Sequence, residues 1–216
     1  MMEALLDFLN YFLNSFVSLM EMTYDHILMV ALGIALALIV GVPLGIVCTK
    51  NKHFETIILS LANIVQVVPS LAMLAILMIV FGAGFNTVVI GLFLYSLLPI
   101  IRNTFVGLNE VNKSSVEAGE GMGMTKLQLL IRVKIPLALP FILAGIRIAM
   151  VIAVGVATLA PYIGGEGLGR EIIAGINGRN SQKIYAGAIV AAVLAIIIDY
   201  LLGLAQKRLE MRGQKQ

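Results

Sequence analysis

The chain has 216 residues, 60% of them hydrophobic and 12% charged, with a formal net charge of +3. A soluble domain carries roughly 25% charged and about 45–50% apolar residues, so this composition excludes a water-exposed fold. The apolar residues fall in long blocks rather than at every second position. That favours spanning helices, which satisfy their backbone polar groups within one segment, over an outer-membrane barrel.

In chain order, residues 1–22 come first. They carry no Lys or Arg and so lack the basic start of a secretory signal. Asp7, Asn10, Asn14, Ser18 and Glu21 recur at spacings of three and four, and Leu6, Leu9, Leu13, Phe16 and Met20 recur on another side. This predicts one amphipathic helix lying in the membrane interface; the rival, a sixth span, would turn the polar stripe to lipid. The transmembrane domain then occupies 23–216. A span needs about 20 apolar residues. Segments of that kind run from His26 to Thr49, Ile57 to Phe81, Thr87 to Phe105, Leu137 to Ile163 and Ile184 to Leu204. The expected fold is therefore an all-α integral membrane protein with about five spans.

Lys and Arg accumulate in cytoplasmic loops. With five spans, one side holds Lys50, Lys52, Arg102, Lys113, Lys126, Arg132, Lys134, Lys207, Arg208, Arg212 and Lys215, and the other only Arg170, Arg179 and Lys183. The N-terminus is expected outside, the C-terminus inside, and the segment 107–136 in the cytoplasm. That loop has local order of its own. Ser114 followed by Glu117 fits a capping box opening a short helix through Gly121, and Thr125 followed by Gln128 fits a second, opening a helix through Lys134. Gly123 suits a turn needing positive φ. Pro136 either stops the loop helix or sits in the first turn of the fourth span.

Glu117-Ala118-Gly119, three residues, Gly123, nine residues and Val133-Lys134-Ile135-Pro136 resemble the EAA loop of bacterial ATP-binding-cassette importer permeases. Gly119 stands where that pattern has a second alanine. Glycine weakens a helix by about 1 kcal/mol relative to alanine, so the docking helix is expected to be shorter here or to order fully only on its partner. Three further stretches, Gln66-Val67-Val68-Pro69-Ser70-Leu71-Ala72, Ala144-Gly145-Ile146-Arg147 and Ala157 through Gly169, resemble the osmoprotectant branch, which imports glycine betaine, carnitine and choline. Glu166 departs from the smaller residues of that branch. The resemblance implies a small, methionine-importer-like permease fold, with Ser114, Glu117, Ala118, Gly119, Gly123 and Pro136 in the ATPase-coupling loop. It also implies a pore of two permeases, identical or paralogous, two cytoplasmic ATPases and an extracytoplasmic binding protein. ATPases bearing regulatory domains would support osmotic control. Methionine or another small zwitterion is the alternative cargo, and an autonomous channel or ion-coupled carrier the alternative class.

Physical readings stand beside the resemblance. Pro69 removes a backbone hydrogen bond and frees a carbonyl near Gln66. Gln66, Pro69 and Ser70 then line a transport path or form a packing kink. Tyr95 and Tyr162 offer aromatic faces to a quaternary ammonium or serve as packing anchors. Gly164, Gly165, Gly167 and Gly169, with Glu166, suit an irregular outer turn that acts as a gate or is simply a flexible loop. Arg147 and Asp199 lie inside spans, where charges pair or snorkel separately to the interface. The lone Cys48 forms no internal disulfide, and His26 and His53 belong to no cluster with metal-ligand spacing. With no GxxxxGK[ST] loop and no acid/base or nucleophile constellation, the chain is not expected to be an enzyme. Neither a cofactor nor a nucleic-acid partner is expected.

Overall fold

The computed structural model describes residues 2–213; Lys215 of the basic tally lies outside them. α1 (Met2–Asn14) leads into α2 (Phe16–Cys48) through Ser15, whose N–H bonds to the Tyr11 carbonyl at 2.9 Å and whose carbonyl accepts from Leu19 N at 2.9 Å. The expected single helix over 1–22 is thus two helices, the second running on into the first span. No glycine or proline lies between Ser15 and Gly33 to stop it. The expected apolar stripe also differs. Leu6, Leu9, Leu13, Phe16 and Met20 are exposed, while Phe8, Tyr11, Phe12 and Met22 pack with buried Leu19 against Leu168, Ala186 and Ala191.

The second expected span is a broken pair. α3 (Lys52–Val67) and α4 (Ser70–Phe81) meet at 98°. A mid-helix kink at Pro69 is therefore replaced by a full break. The residue before a proline is driven out of the helical region, and Val68 is extended (φ −61°, ψ 130°). Pro69 then caps the start of α4.

α5 (Phe85–Asn109) is the central helix, packed between α2 and α8 (Ile135–Ala157). Small residues let it approach both. Gly33, Ala37, Gly41 and Gly45 form a four-residue repeat on α2, and Gly33, Gly41 and Gly45 lie against Leu92, Ile100 and Thr104. Gly145 of α8 meets Asn103 and the Pro99 carbonyl. Between α5 and α8 come α6 (Lys113–Gly121), α7 (Lys126–Leu129) and a π turn (Leu130–Lys134). After α8 follow a 3-10 turn (Ala160–Ile163), α9 (Gly169–Asn177) and α10 (Ser181–Gly213). Four helical stretches, Phe16–Cys48, Phe85–Asn109, Lys126–Ala157 and Ser181–Met211, are long and apolar enough to cross a membrane, and the bent pair makes a fifth span if counted as one. The described residues contain no strand. The all-α expectation holds, and the four or five spans agree with the expected number of about five.

The two ends of the bundle are distinct. At one, Gly84 N–H donates to the Ile163 carbonyl at 2.8 Å, joining the α4–α5 turn to the 3-10 turn. The other carries α6, α7 and the last turns of α10.

Candidate coupling loop and translocation elements

α6 begins differently from the capping box read at Ser114. Asn112 is the cap: its Oδ1 accepts from Ser114 N at 3.0 Å and from Ser114 Oγ at 2.9 Å. Both residue types cap well, and Asn112 places the helix start two positions earlier. The helix runs through Gly119 to Gly121 without shortening. Gly119 is buried, and a β-carbon there would lie 2.6 Å from Leu129 Cδ1, so glycine lets α7 close onto α6. Glu117 and Ala118 are exposed. The corner is a Schellman motif, with Met124 N bonded to the Gly119 carbonyl and Gly123 N to the Glu120 carbonyl. Gly123 takes φ +77°, as its position predicted. The second capping box is present in full, Thr125 N donating to Gln128 Oε1 at 2.9 Å and Gln128 N to Thr125 Oγ1 at 3.3 Å.

Pro136 does not stop this helix. α7, the π turn and α8 run on from Lys126 to Ala157. Ile135 N–H reaches back five residues to the Leu130 carbonyl. The widened turn relieves the clash a proline ring makes with the carbonyl four residues before it.

At the α3–α4 break, the carbonyl freed by the extended backbone is that of Val68, and the Tyr95 hydroxyl donates to it. Tyr95 is buried. Its ring is a packed element of the break rather than a free aromatic face. Gln66, Pro69 and Ser70 flank the same break and are partly open. Tyr162 lies apart from them, exposed in the 3-10 turn. The five residues read as a path thus form one group of four and one outlier.

The glycine turn over 164–169 is packed. Gly164 and Gly167 take φ +75° and +100°. A β-carbon on Gly169 would sit 1.9 Å from the Thr158 carbonyl oxygen, and one on Gly165 2.8 Å from Val88 Cγ2. Glu166 stands exposed and bonds Arg170 at 2.8 Å. Arg147 of α8 and Asp199 of α10 do pair, Nε to Oδ1 at 2.5 Å and a second guanidinium nitrogen to Oδ2 at 2.8 Å. Gly203, one turn further along α10, leaves room for the guanidinium.

Two contacts had no motif behind them. His26 is fully buried, and its Nε2 lies 3.1 Å from the Val154 carbonyl. Thr158 N bonds to Gly155 rather than to Val154; the tightened end of α8 frees that carbonyl, and His26 caps it. Gly167 packs beside the imidazole Nδ1, from which a β-carbon would stand 3.1 Å away. Tyr11 donates its hydroxyl to Glu171 of α9, itself 7% exposed. Burial and the neighbouring carboxyl raise the Tyr11 pKa above its ordinary value, which keeps the hydroxyl a donor. A single histidine or tyrosine has no spacing partner in sequence, so neither contact leaves a signal there.

The described residues hold no cluster fit for a metal ion. An exposed, doubly capped helix at one end, a packed glycine turn at the other and a broken span between them belong to a solute permease. The chain is a member of the binding-protein-dependent transport system inner membrane component family, whose sequence pattern matches residues 41–212. It is 45% identical over 209 residues to the carnitine transport permease protein OpuCD of Listeria monocytogenes, covering 96% of this chain and 94% of that one. It is 43% identical over 216 residues to the glycine betaine/carnitine/choline transport system permease protein OpuCD of Bacillus subtilis, covering 100% and 94%. The osmoprotectant import permease protein OsmW of Salmonella typhimurium is 39% identical over 213 residues, covering 96% and 99%. Among solved structures, the MetNI methionine transporter in an inward-facing conformation superposes with a TM-score of 0.76 at 20% identity, covering 86% of this chain and 93% of that one. An amino acid ABC transporter gives 0.75 at 19%, covering 91% and 96%. At such identities these establish the fold, that of a small importer permease.

Family membership makes this a multi-pass bacterial membrane protein that works with an ATPase and a substrate-binding protein. ATP hydrolysis belongs to the separate ATPase.

Proposed function

We propose that the chain forms the translocation path for a quaternary-ammonium osmoprotectant: glycine betaine, carnitine or choline. The observation that carries this is full-length similarity, at 39–45% identity, to permeases named for those solutes and for osmoprotectants. The fold does not discriminate cargo, because the methionine importer shares it at 20% identity. Reconstituted with its ATPase and binding protein, the complex is expected to take up at least one of the three quaternary amines in an ATP-dependent manner. Uptake of methionine with none of them would overturn the assignment.

The reading extends to the parts. α6 docks on the ATPase, with Glu117 and Ala118 on its exposed surface and Gly123 turning the chain behind it. A second permease, identical or paralogous, completes the pore. The break at Gln66, Pro69 and Ser70 borders the path, and the glycine turn over 164–169 acts as its outer gate. The N-terminus lies outside, the C-terminus in the cytoplasm, and the first 22 residues at the membrane interface. The excess of Lys and Arg on the coupling-loop side supports this orientation.

A bundle whose two ends are joined by α8 and α10 suits alternating access. When ATP closes the ATPases, docked loops move together and the continuous helix from Lys126 to Ala157 carries the displacement toward the outer turn. The bidentate Arg147–Asp199 pair keeps α10 in register with it.

A further inference from the structure

Helical geometry divides the stretch from Leu6 to Met22 into three faces. At 100° per residue, Phe8, Tyr11, Phe12, Leu19 and Met22 cluster on one side, and these are the residues packed on the protein. Asp7, Asn10, Asn14, Ser18 and Glu21 form a polar stripe about 110° away, all of it exposed. Leu6, Leu9, Leu13, Phe16 and Met20 form an apolar stripe roughly 120° from both, also exposed, with Leu13 at 70%. A helix with one face on protein needs only two kinds of side chain if the rest meets water or if the rest meets hydrocarbon. Three kinds in three sectors fit a helix at the boundary of both. Further along α2, exposed Ile27 keeps the azimuth of the apolar sector while exposed Leu28, Leu32 and Leu36 take over that of the polar stripe, so the outward surface becomes apolar throughout, as the lipid-facing belt of a spanning helix is.

The protein-facing sector ends on α9. Tyr11 donates to Glu171 inside a packed junction. Two residues before Glu171 is Gly169, wedged against the Thr158 carbonyl. Gly187 brings α10 against Ile172 and Glu171 on the other side. α1 is therefore bonded to the helix that closes the glycine turn.

We propose that α1 is a lipid-anchored strut. The Leu6–Met20 stripe, which runs from α1 into the first turns of α2, is covered by lipid of one leaflet, and the Tyr11–Glu171 bond fixes α9 and the 164–169 turn to that anchor. The proposal rests on the N-outside orientation only for naming the leaflet as the outer one, and it adds a second mechanical input to the gate, from the bilayer surface rather than from the ATPase.

The test uses the whole reconstituted complex, with Cys48→Ala and partner cysteines removed, and nitroxide labels placed singly along α1 and the first turns of α2. Labels at 9, 13 and 16 should be accessible to oxygen from lipid. Labels at 10, 14 and 18 should be accessible to a water-soluble nickel chelate, and labels at 12 and 19 to neither. Shielding of position 13 from both reagents would show the stripe covered by protein, such as a second copy, and would overturn the proposal. Oxygen access at 10 and 14 as well as 13 would show a sixth span and overturn it too. The coupling is tested with Tyr11→Phe. The access pattern along α1 should persist, the distance between labels at 13 and 174 should broaden, and uptake should fall several-fold. Unchanged distance and uptake would refute the strut while leaving the anchor. An impermeant thiol reagent on Asn14→Cys tests orientation alone: labelling only from the cytoplasmic side would reverse the leaflet without altering the other results.

Discussion

The corner at Gly123 and the turn at 164–169 are both glycine-built, yet they are held in opposite ways. Gly123 has positive φ and nothing within 4 Å of where a β-carbon would stand. Its shape comes from its neighbours in sequence, two Schellman bonds before it and a capping box after it. The turn at 164–169 is shaped by residues far from it in sequence. Thr158, Val88 and His26 press on Gly169, Gly165 and Gly167 from other parts of the chain. A locally encoded corner keeps its form while it is carried against a partner. A turn held by tertiary contact changes form when the bundle around it rearranges, as the proposed gate requires.

Substitutions should separate the two, and the largest effect belongs to the outer turn. Gly169→Ala puts a β-carbon 1.9 Å from a backbone carbonyl that cannot rotate away. The cost should exceed the roughly 1–3 kcal/mol of ordinary overpacking, and folded complex recovered from membranes should fall sharply. Normal recovery and thermal stability would mean the turn is not packed as described. Gly123→Val comes next, at roughly 1–3 kcal/mol of backbone strain. It should leave membrane levels near normal while abolishing uptake and weakening co-purification of the ATPase. Gly123→Ala, strained by the backbone alone, should be milder than Gly169→Ala, and the reverse order would break the comparison. Asn112→Ala removes a helix cap worth about 1 kcal/mol. It should reduce ATPase binding more than Ser114→Ala, which leaves the cap in place. The smallest effect is expected at the link between the ends. The Arg147 and Asp199 side chains are 38% and 39% exposed. Asp199→Ala should lower assembly slightly more than the double change Arg147→Ala with Asp199→Ala, because the single change strands a charge. Strictly additive losses in quantitative blots would argue against coupling.

The same division explains what could be read from sequence. Gly123, Thr125 and Gln128 follow rules that span three or four residues, and each appears where those rules place it. The start of α6 was ambiguous because Asn112 and Ser114 both cap, and Glu117 pointed to the wrong one. Pro69 announces a break, but the 98° angle depends on α4 lying against α5, with Leu74 seated on Gly91. The charges at 147 and 199 are visible as anomalies; their pairing needs the register of α8 on α10. The N-terminal stripes were visible as two, and which apolar residues meet protein was fixed only by α9 and α10. Tyr95 looks like any aromatic residue until the bend at Val68 exposes a carbonyl to it.

The π turn over Leu130–Lys134 has an arithmetic of its own. An α-helix advances 100° of azimuth per residue, and a turn that takes in one extra residue offsets everything before it by about that much relative to everything after. α8 is fixed by α5 and α10, so the offset is felt at Leu129, which points at Gly119. Removing one residue from the turn would keep the rod straight yet swing the Leu129 side away from α6 by about a quarter of a revolution. The bulge is a phase setting: it fixes the compass direction in which α6 is presented, independently of how far the rod moves.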